Sequence, residues 1–395
     1  MDKRRHKLLK GMKGDVCRRP EDRISELPDT IIHHIFSFLE TETIVCTSRL
    51  SKRWRYVWTT MPSFDLIVSC NIEELSLDLS YSNLIPFTRC LFNRESLVEL
   101  RLRINISLRI PESISLPKLK LLQLSDIYFS DKLLVEQLIL NSPLLEKLIL
   151  SIFSWSNWNR NTLNISAPAL KCLVLDGSKN YIGMRNGAVK IHAPNLMHFS
   201  YTGLIARDYT VPSFSSLEDA EICFKRSYYL EKKDAQIGHA ASKLVGGISN
   251  VRSLTISGET LEALSFAYDD FPRFQNLIHL RVTSEFKTIG DKELLKFFQH
   301  APSLESLVFD KGLSMWPSDM GNTFCVQGMA SECPLPRLKS VHFKGISWSP
   351  REMDLIKLIL KNAENLEKMT FKDITPPTLS SISSLIKDEE ESGII

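Results

Sequence analysis

The chain has 395 residues, 43% hydrophobic and 24% charged, a balance that excludes a disordered polymer and suits two or three domains or one elongated repeat array. The formal net charge of +3 is unevenly placed: residues 1–19 hold eight Lys/Arg and two acids, leaving 41 basic against 44 acidic residues in the rest. That near-neutral body does not invite nucleic acid.

The N-terminal segment, residues 1–20, reads as a basic disordered tail, with Lys3-Arg4-Arg5 a nuclear-import patch as the alternative. No apolar segment follows it as in a signal peptide, and no apolar run reaches the roughly 18 residues of a membrane span. The eight cysteines show no C-x-x-C and no zinc spacing, so reduced thiols in the nucleus, the cytoplasm or both are expected.

Residues 21–62 carry the first strong pattern. Leu27-Pro28-Asp29 marks a helix start, with Pro28 in the first turn and Asp29 favouring the N-terminal dipole. Ile31, Ile32, Ile35, Phe36, Phe38 and Leu39 follow at three- and four-residue steps and cover more than half the circumference. So wide an apolar face predicts burial on two sides, one within the chain and one against a partner. The helix is expected to stop near Glu40, and a second, capped by Thr41 or Thr43, carries Ile44, Val45 and Leu50 towards Trp54 and Trp58.

The run Asp22-Arg23-Ile24-Ser25-Glu26-Leu27-Pro28-Asp29, the apolar helix through Phe38-Leu39, and Thr47-Ser48-Arg49-Leu50-Ser51-Lys52-Arg53-Trp54-Arg55-Tyr56-Val57-Trp58 together resemble a plant-type F-box. Ile32 and Phe36 stand where leucines are common, and Thr41-Glu42-Thr43 replaces a proline-containing turn; neither removes apolar area. The resemblance implies a three-helix module that inserts into the Skp-family adaptor of a cullin-based ubiquitin ligase. It also implies an adaptor interface at Leu27, Pro28, Ile31, Ile32, Ile35, Leu39, Ile44, Val45 and Trp54. For Trp54 especially, the alternative is a place in the module's own core.

From residue 72 onward the template apolar-x-x-apolar-x-apolar recurs twelve times, from Ile72/Leu75/Leu77 to Leu366/Met369/Phe371, with starts 21 to 34 residues apart. Most intervals fit leucine-rich repeats. The alternating end of each template predicts a strand whose apolar side is buried only by stacking on its neighbours. Pro117, Pro143, Pro168, Pro194, Pro302 and Pro336 lie two residues before a template and pin the turn into the strand. Helical stretches such as 133–140 and 293–298 lie between strands, and the two 34-residue intervals call for a loop insertion or an extra turn. The predicted class is therefore α/β: a short three-helix F-box followed by a curved, irregular leucine-rich-repeat solenoid over 63–328. The asparagine that usually follows such strands is present as Asn105 but replaced by Ile127 and Phe153.

Polar residues around the last two apolar positions should point from the sheet's concave face into solvent. They are Glu99, Arg101, Arg103, Gln123, Lys147, Asp176, His198, Glu221, His279 and Arg281, with Thr255, Asp310, His342 and Lys344 further along. They form a candidate client-binding surface, or an ordinary solvated face. The segments around Glu332–Val341, Glu352–Ala363 and Leu366–Met369 resemble the plant FBD module, with the usual glycine turn altered to Ser347-Trp348-Ser349-Pro350. Residues 329–383 are accordingly the last strand–helix–strand of the array, and 384–395 a frayed tail.

No nucleophile, metal or nucleotide motif is found, and the His33-His34 pair and Cys46 lack the partners that catalysis or metal binding would need. The sequence reads as a non-catalytic substrate-recognition subunit of an SCF-type E3 ubiquitin ligase. Its expected partners are a Skp-family adaptor, through it a cullin, and a protein client, with no cofactor, nucleic acid or membrane. The alternatives are an interaction scaffold or a ligand-dependent receptor without a degraded client.

Overall fold

The computed structural model describes residues 26–39, 47, 50, 53–57, 72–78, 92–103, 107–108, 114–126, 128–129, 134–151, 154–155, 162–177, 187–212, 214–225, 235–267, 271–284, 291–313 and 335–372. The chain divides into two compact units, Met1–Cys70 and Asn71–Ile395.

In the first unit, helix α1 (Asp29–Phe36) starts from Pro28, whose carbonyl accepts from the amides of Ile31 and Ile32 at 3.0 and 3.1 Å. Pro28 therefore sits at the N-cap, just outside the first turn. The helix ends sooner than Glu40. Tighter closures, from Phe38 N to Ile35 O at 3.2 Å and from Leu39 N to Phe36 O at 3.0 Å, wind it down, and the Ser37 hydroxyl donates back to the His34 carbonyl at 2.7 Å. A short helix, α2 (Trp54–Val57), packs on it: the Trp54 ring meets Phe36 edge-on, centroids 5.5 Å apart. Ile44, Val45, Trp58 and most of the expected second helix lie outside the described residues; of that helix Thr47 and Leu50 are described.

In the second unit every one of the twelve templates carries a strand. In chain order these are β1 (Glu74–Asp78), β2 (Glu99–Arg103), β4 (Leu121–Ser125), β6 (Lys147–Ser151), β9 (Cys172–Asp176), β11 (His198–Gly203), β13 (Asp219–Phe224), β14 (Ser253–Ile256), β15 (His279–Val282), β16 (Ser306–Phe309), β17 (Ser340–Lys344) and β18 (Lys368–Lys372). They form one parallel twelve-stranded sheet in that order. The register sets like positions side by side, Leu75 on Leu100, Leu100 on Leu122 and Leu122 on Leu148. The buried stripe thus runs unbroken across the strands, as stacking of units that cannot bury a face alone requires.

The six prolines occupy the second position of a four-residue turn that delivers the chain into a strand. In each, the first apolar residue of the template donates its amide to the carbonyl three residues back, as from Leu119 to Leu116 at 3.1 Å and from Leu338 to Leu335 at 3.2 Å. Proline's fixed φ suits that position, and the amide it lacks is not needed there.

Helices α3 (Leu134–Leu140), α4 (Ala235–Gly247), α5 (Gly258–Leu264), α6 (Asp291–His300) and α7 (Pro350–Asn362) fill intervals between strands and share one core with the sheet. The thirteen residues of α4 occupy the first long interval; residues 314–334 of the second lie outside the described residues. Three intervals hold strands where helices are the general expectation: β8 (Thr162–Ser166), β10 (Ala188–His192) and β12 (Asp208–Thr210) form a second parallel sheet. Their alternating Leu163, Ile165, Val189, Ile191 and Tyr209 enter the core where helical side chains would. Two-residue strands β3 (Ser107–Leu108), β5 (Tyr128–Phe129) and β7 (Ser154–Trp155) make a third sheet. Asn105, Ile127 and Phe153 lie outside the described residues.

Candidate functional site

Two surfaces can engage partners. On α1 the apolar residues fall on two stripes about 100° apart round the helix. Ile32 and Phe36 are fully buried, whereas Ile31 and Ile35 are 46% and 39% exposed. Phe38, just past the helix, is 75% exposed and Leu50 58%. Leu27 and Leu39 are half-buried and Pro28 exposed.

Of the residues proposed from sequence to meet an adaptor, Leu27, Pro28, Ile31, Ile35 and Leu39 retain accessible surface, but Ile32 and Trp54 do not. Those two pack within the module. Ile32 shares the stripe of Phe36, and the Trp54 ring is taken up against Phe36. Phe38 and Leu50 were missed as surface residues, although Phe38 belongs to the same periodic apolar set. Across the pair of helices, the His33 ring is within hydrogen-bond distance of the Val57 carbonyl at 3.1 Å, and Arg53 pairs with Asp29 at 2.7 Å. The latter pair is exposed and adds little stability.

The second surface is the side of the twelve-stranded sheet opposite the core. Alternation puts every polar residue singled out from sequence on it, but not all are open to solvent. Arg103, Lys147, His198, Glu221, His279 and Arg281 are exposed, whereas Glu99, Arg101, Gln123, Asp176, Thr255, Asp310, His342 and Lys344 are half-buried. Neighbouring strands stand only about 4.8 Å apart, so same-face side chains shield one another.

Many of these groups neutralise each other. Arg101 pairs with Glu99 at 2.6 Å, and Arg103 lies between Asp78 and Asp126 at 3.3 and 3.4 Å. His198 meets Asp219 at 2.7 Å, and the Ser200 hydroxyl donates to Glu221 at 3.0 Å. Asp310 is held by Arg281 at 3.0 Å and by Lys344 at 2.6 Å. Partial burial works against the Asp310 charge, but the hydrogen bonds from Lys344 and Arg281 prevail and hold its carboxyl below the usual range.

At the far end of the sheet, α7 is tied down by its first turn. Ser349 and Glu352 form a capping box, and the buried Glu352 carboxylate also accepts from the amides of Leu313 and Ser347 at 3.3 and 3.1 Å. Among the described residues no group of three His, Cys, Asp or Glu is arranged to hold a metal, and no helix is long and apolar enough to cross a membrane.

Comparison with known proteins follows the same division. Residues 24–66 match the F-box domain, residues 63–211 match the family described as "FBD-associated F-box protein At5g56370, LRR repeats", and residues 330–371 match FBD. The chain is 31% identical to the F-box/LRR-repeat protein At3g59250 of Arabidopsis thaliana, over 93% of this chain and 95% of that protein. It is 27% identical to the F-box/LRR-repeat protein At4g14096 of the same plant, over 89% and 87%, and 26% identical to the F-box/LRR-repeat protein At3g59210, over 90% and 88%. An F-box, leucine-rich repeats and an FBD region are what these relationships describe: the chain belongs to the F-box/LRR-repeat family.

Proposed function

We propose that this chain is the substrate-recognition subunit of an SCF-type E3 ubiquitin ligase, with the F-box holding a Skp-family adaptor and the repeats holding a protein client. The observation that carries the reading is the pair Ile31 and Ile35, exposed on α1 beside a stripe that is already buried. The helix has satisfied its own core and still presents apolar area, inside the segment that matches the F-box domain. F-box domains generally bind adaptors of the Skp type, and an amphipathic helix offering a second apolar stripe suits that role.

In this reading residues 21–62 form a three-helix F-box, residues 63–328 a curved solenoid and residues 329–383 its closing repeats, with 1–20 and 384–395 as tails. The chain performs no chemistry itself. It raises the effective concentration of client near a transfer site carried by other subunits. It works in the nucleus, the cytoplasm or both, where its cysteines stay reduced.

Co-purification of the intact chain with a Skp-family adaptor and a cullin tests the first half, and a chain that retains neither sinks it. The second half predicts proteins that associate through residues 63–395 and accumulate when the F-box is deleted; loss of the F-box without accumulation of any of them contradicts it.

A further inference from the structure

The outward face of the sheet is not uniform. Towards its N-terminal edge the charges close on themselves, Glu99 with Arg101 and Arg103 with Asp78 and Asp126. Beyond β9 they do so again, His198 with Asp219 and Ser200 with Glu221. Between these clusters, on β4, β6 and β9, the outward positions include Leu121, Cys172, Ile149 and Val174, with Gln123 beside Ile149 and Asp176 two residues beyond Val174. Ile149 and Val174 are register partners, and Leu121 faces Lys147 across the same pair of strands. Side chains so placed have Cβ atoms about 5 Å apart and form one patch. All four are half-buried and so keep accessible area.

Lys147 stands at the margin of this window, exposed, with no ion pair among the described residues. Its neighbour Cys172 cannot serve as a counter-ion, because burial pushes that thiol's pKa up and keeps it neutral. An accessible apolar patch, a cation without an ion pair at its margin and flanking charges that satisfy one another have the anatomy of a binding hot spot.

We propose that the client docks at this window through a segment that seats an aliphatic or aromatic side chain on Ile149 and Val174 and sets a carboxylate against Lys147. The proposal rests on the reading of the repeats as a client-binding array, and charge complementarity selects the occupant. A basic segment would repel Lys147, and a wholly polar one would strip water from the apolar patch without replacing its hydrogen bonds. The flanking charge clusters already have partners, so they discriminate by exclusion rather than by attraction.

The test is a random peptide library displayed on phage and panned against the full chain immobilised through an N-terminal tag, with selected peptides resynthesised and titrated by fluorescence anisotropy. Selected peptides should share an apolar residue beside Asp or Glu. Ile149→Asp or Val174→Asp should each weaken them by about tenfold or more. Lys147→Glu should weaken them too and should favour versions in which the acid is replaced by Lys. Lys361→Glu, an exposed residue of α7 outside the sheet's outward face, should leave binding unchanged. The proposal is overturned if nothing is enriched, if the selected peptides bind Ile149→Asp as well as they bind the parent, or if Lys361→Glu is the variant that matters. It is also overturned if sedimentation reveals a self-associated chain that Ile149→Asp dissociates, since the occupant would then be a second copy. Adaptor capture measured on the same samples separates the two readings. A chain that selects these peptides without holding adaptor keeps the window and loses the ligase role, and a chain that holds adaptor but selects none loses the window alone.

Discussion

Arg351 and Asp291, sixty residues apart in sequence, form a buried ion pair that joins the first turn of α7 to the first turn of α6. The guanidinium donates through Nε to Asp291 Oδ1 at 3.1 Å and through Nη1 to the Leu313 carbonyl at 3.1 Å. The FBD region is thus locked to the repeat before it by one planar, five-donor side chain. Arg351→Met should destabilise the chain by about 3–5 kcal/mol, because it takes the guanidinium away from a buried carboxylate. Arg351→Met with Asp291→Leu should be far less damaging than the single change, since no charge is then stranded. Denaturant unfolding of the single and double variants checks this; equal losses would mean that the pair is incidental.

Trp54→Ala should destabilise the N-terminal module by roughly 3 kcal/mol or more, through loss of the buried ring against Phe36. Ile35→Ala, on the exposed stripe, should change stability by under about 0.5 kcal/mol. Thermal unfolding of the two variants separates packing from surface, and a large loss in Ile35→Ala would contradict the assignment.

Two glycines of α4 should respond in opposite directions. A Cβ on Gly238 would lie 2.3 Å from the Ala267 amide nitrogen and from the Phe266 carbonyl carbon, so Gly238→Ala must push α4 away from the end of α5. At Gly246 a Cβ meets nothing within 4 Å, and Gly246→Ala should stabilise by about 0.5–1 kcal/mol through helix propensity. Urea midpoints should fall for the first and rise for the second.

His342 provides a pH signature. Burial, then the positive charges of Lys368, Lys372 and Lys344, lowers its pKa from the usual 6.5, and its ring bonds to the Thr370 hydroxyl. A base whose folded pKa is depressed takes up its proton more readily in the unfolded chain. Its contribution is therefore present above pH 6.5 and lost as pH falls below that value. His342→Gln should flatten this limb of the stability profile between neutral and mildly acidic pH while leaving the alkaline side alone. An unchanged acid limb would contradict the depressed pKa.

The strands were legible because their rule is local: three apolar positions in six residues, repeated, fix both a strand and the face it buries, and all twelve templates from Leu75 to Phe371 obey it. What lies between them was less legible. Thr162–Ser166 and Ala188–His192 alternate as strands do, but they fall outside the six-residue template in intervals where helices are expected, and their register brings Ile165 beside Ile191. Ile31 and Ile32 are chemically identical neighbours, and which one is buried depends on how the stripe of Phe36 packs, where Trp54 arrives. Ile149 and Val174 face outward by the same alternation as Lys147 and Asp176, but polarity does not mark them as surface residues.

If Ile31 and Ile35 form an adaptor surface, and are not spare hydrophobic area, adaptor affinity must depend on them. Calorimetric titration of purified Skp-family adaptor into the intact chain, and into Ile31→Asp and Ile35→Asp, tests it most directly. A stable complex is expected with the parent, and a loss of about 100-fold or more, roughly 2.7 kcal/mol, in either variant, with the unfolding of the repeats unchanged. A parent chain that takes up no adaptor, or variants that bind as tightly as the parent, would contradict it.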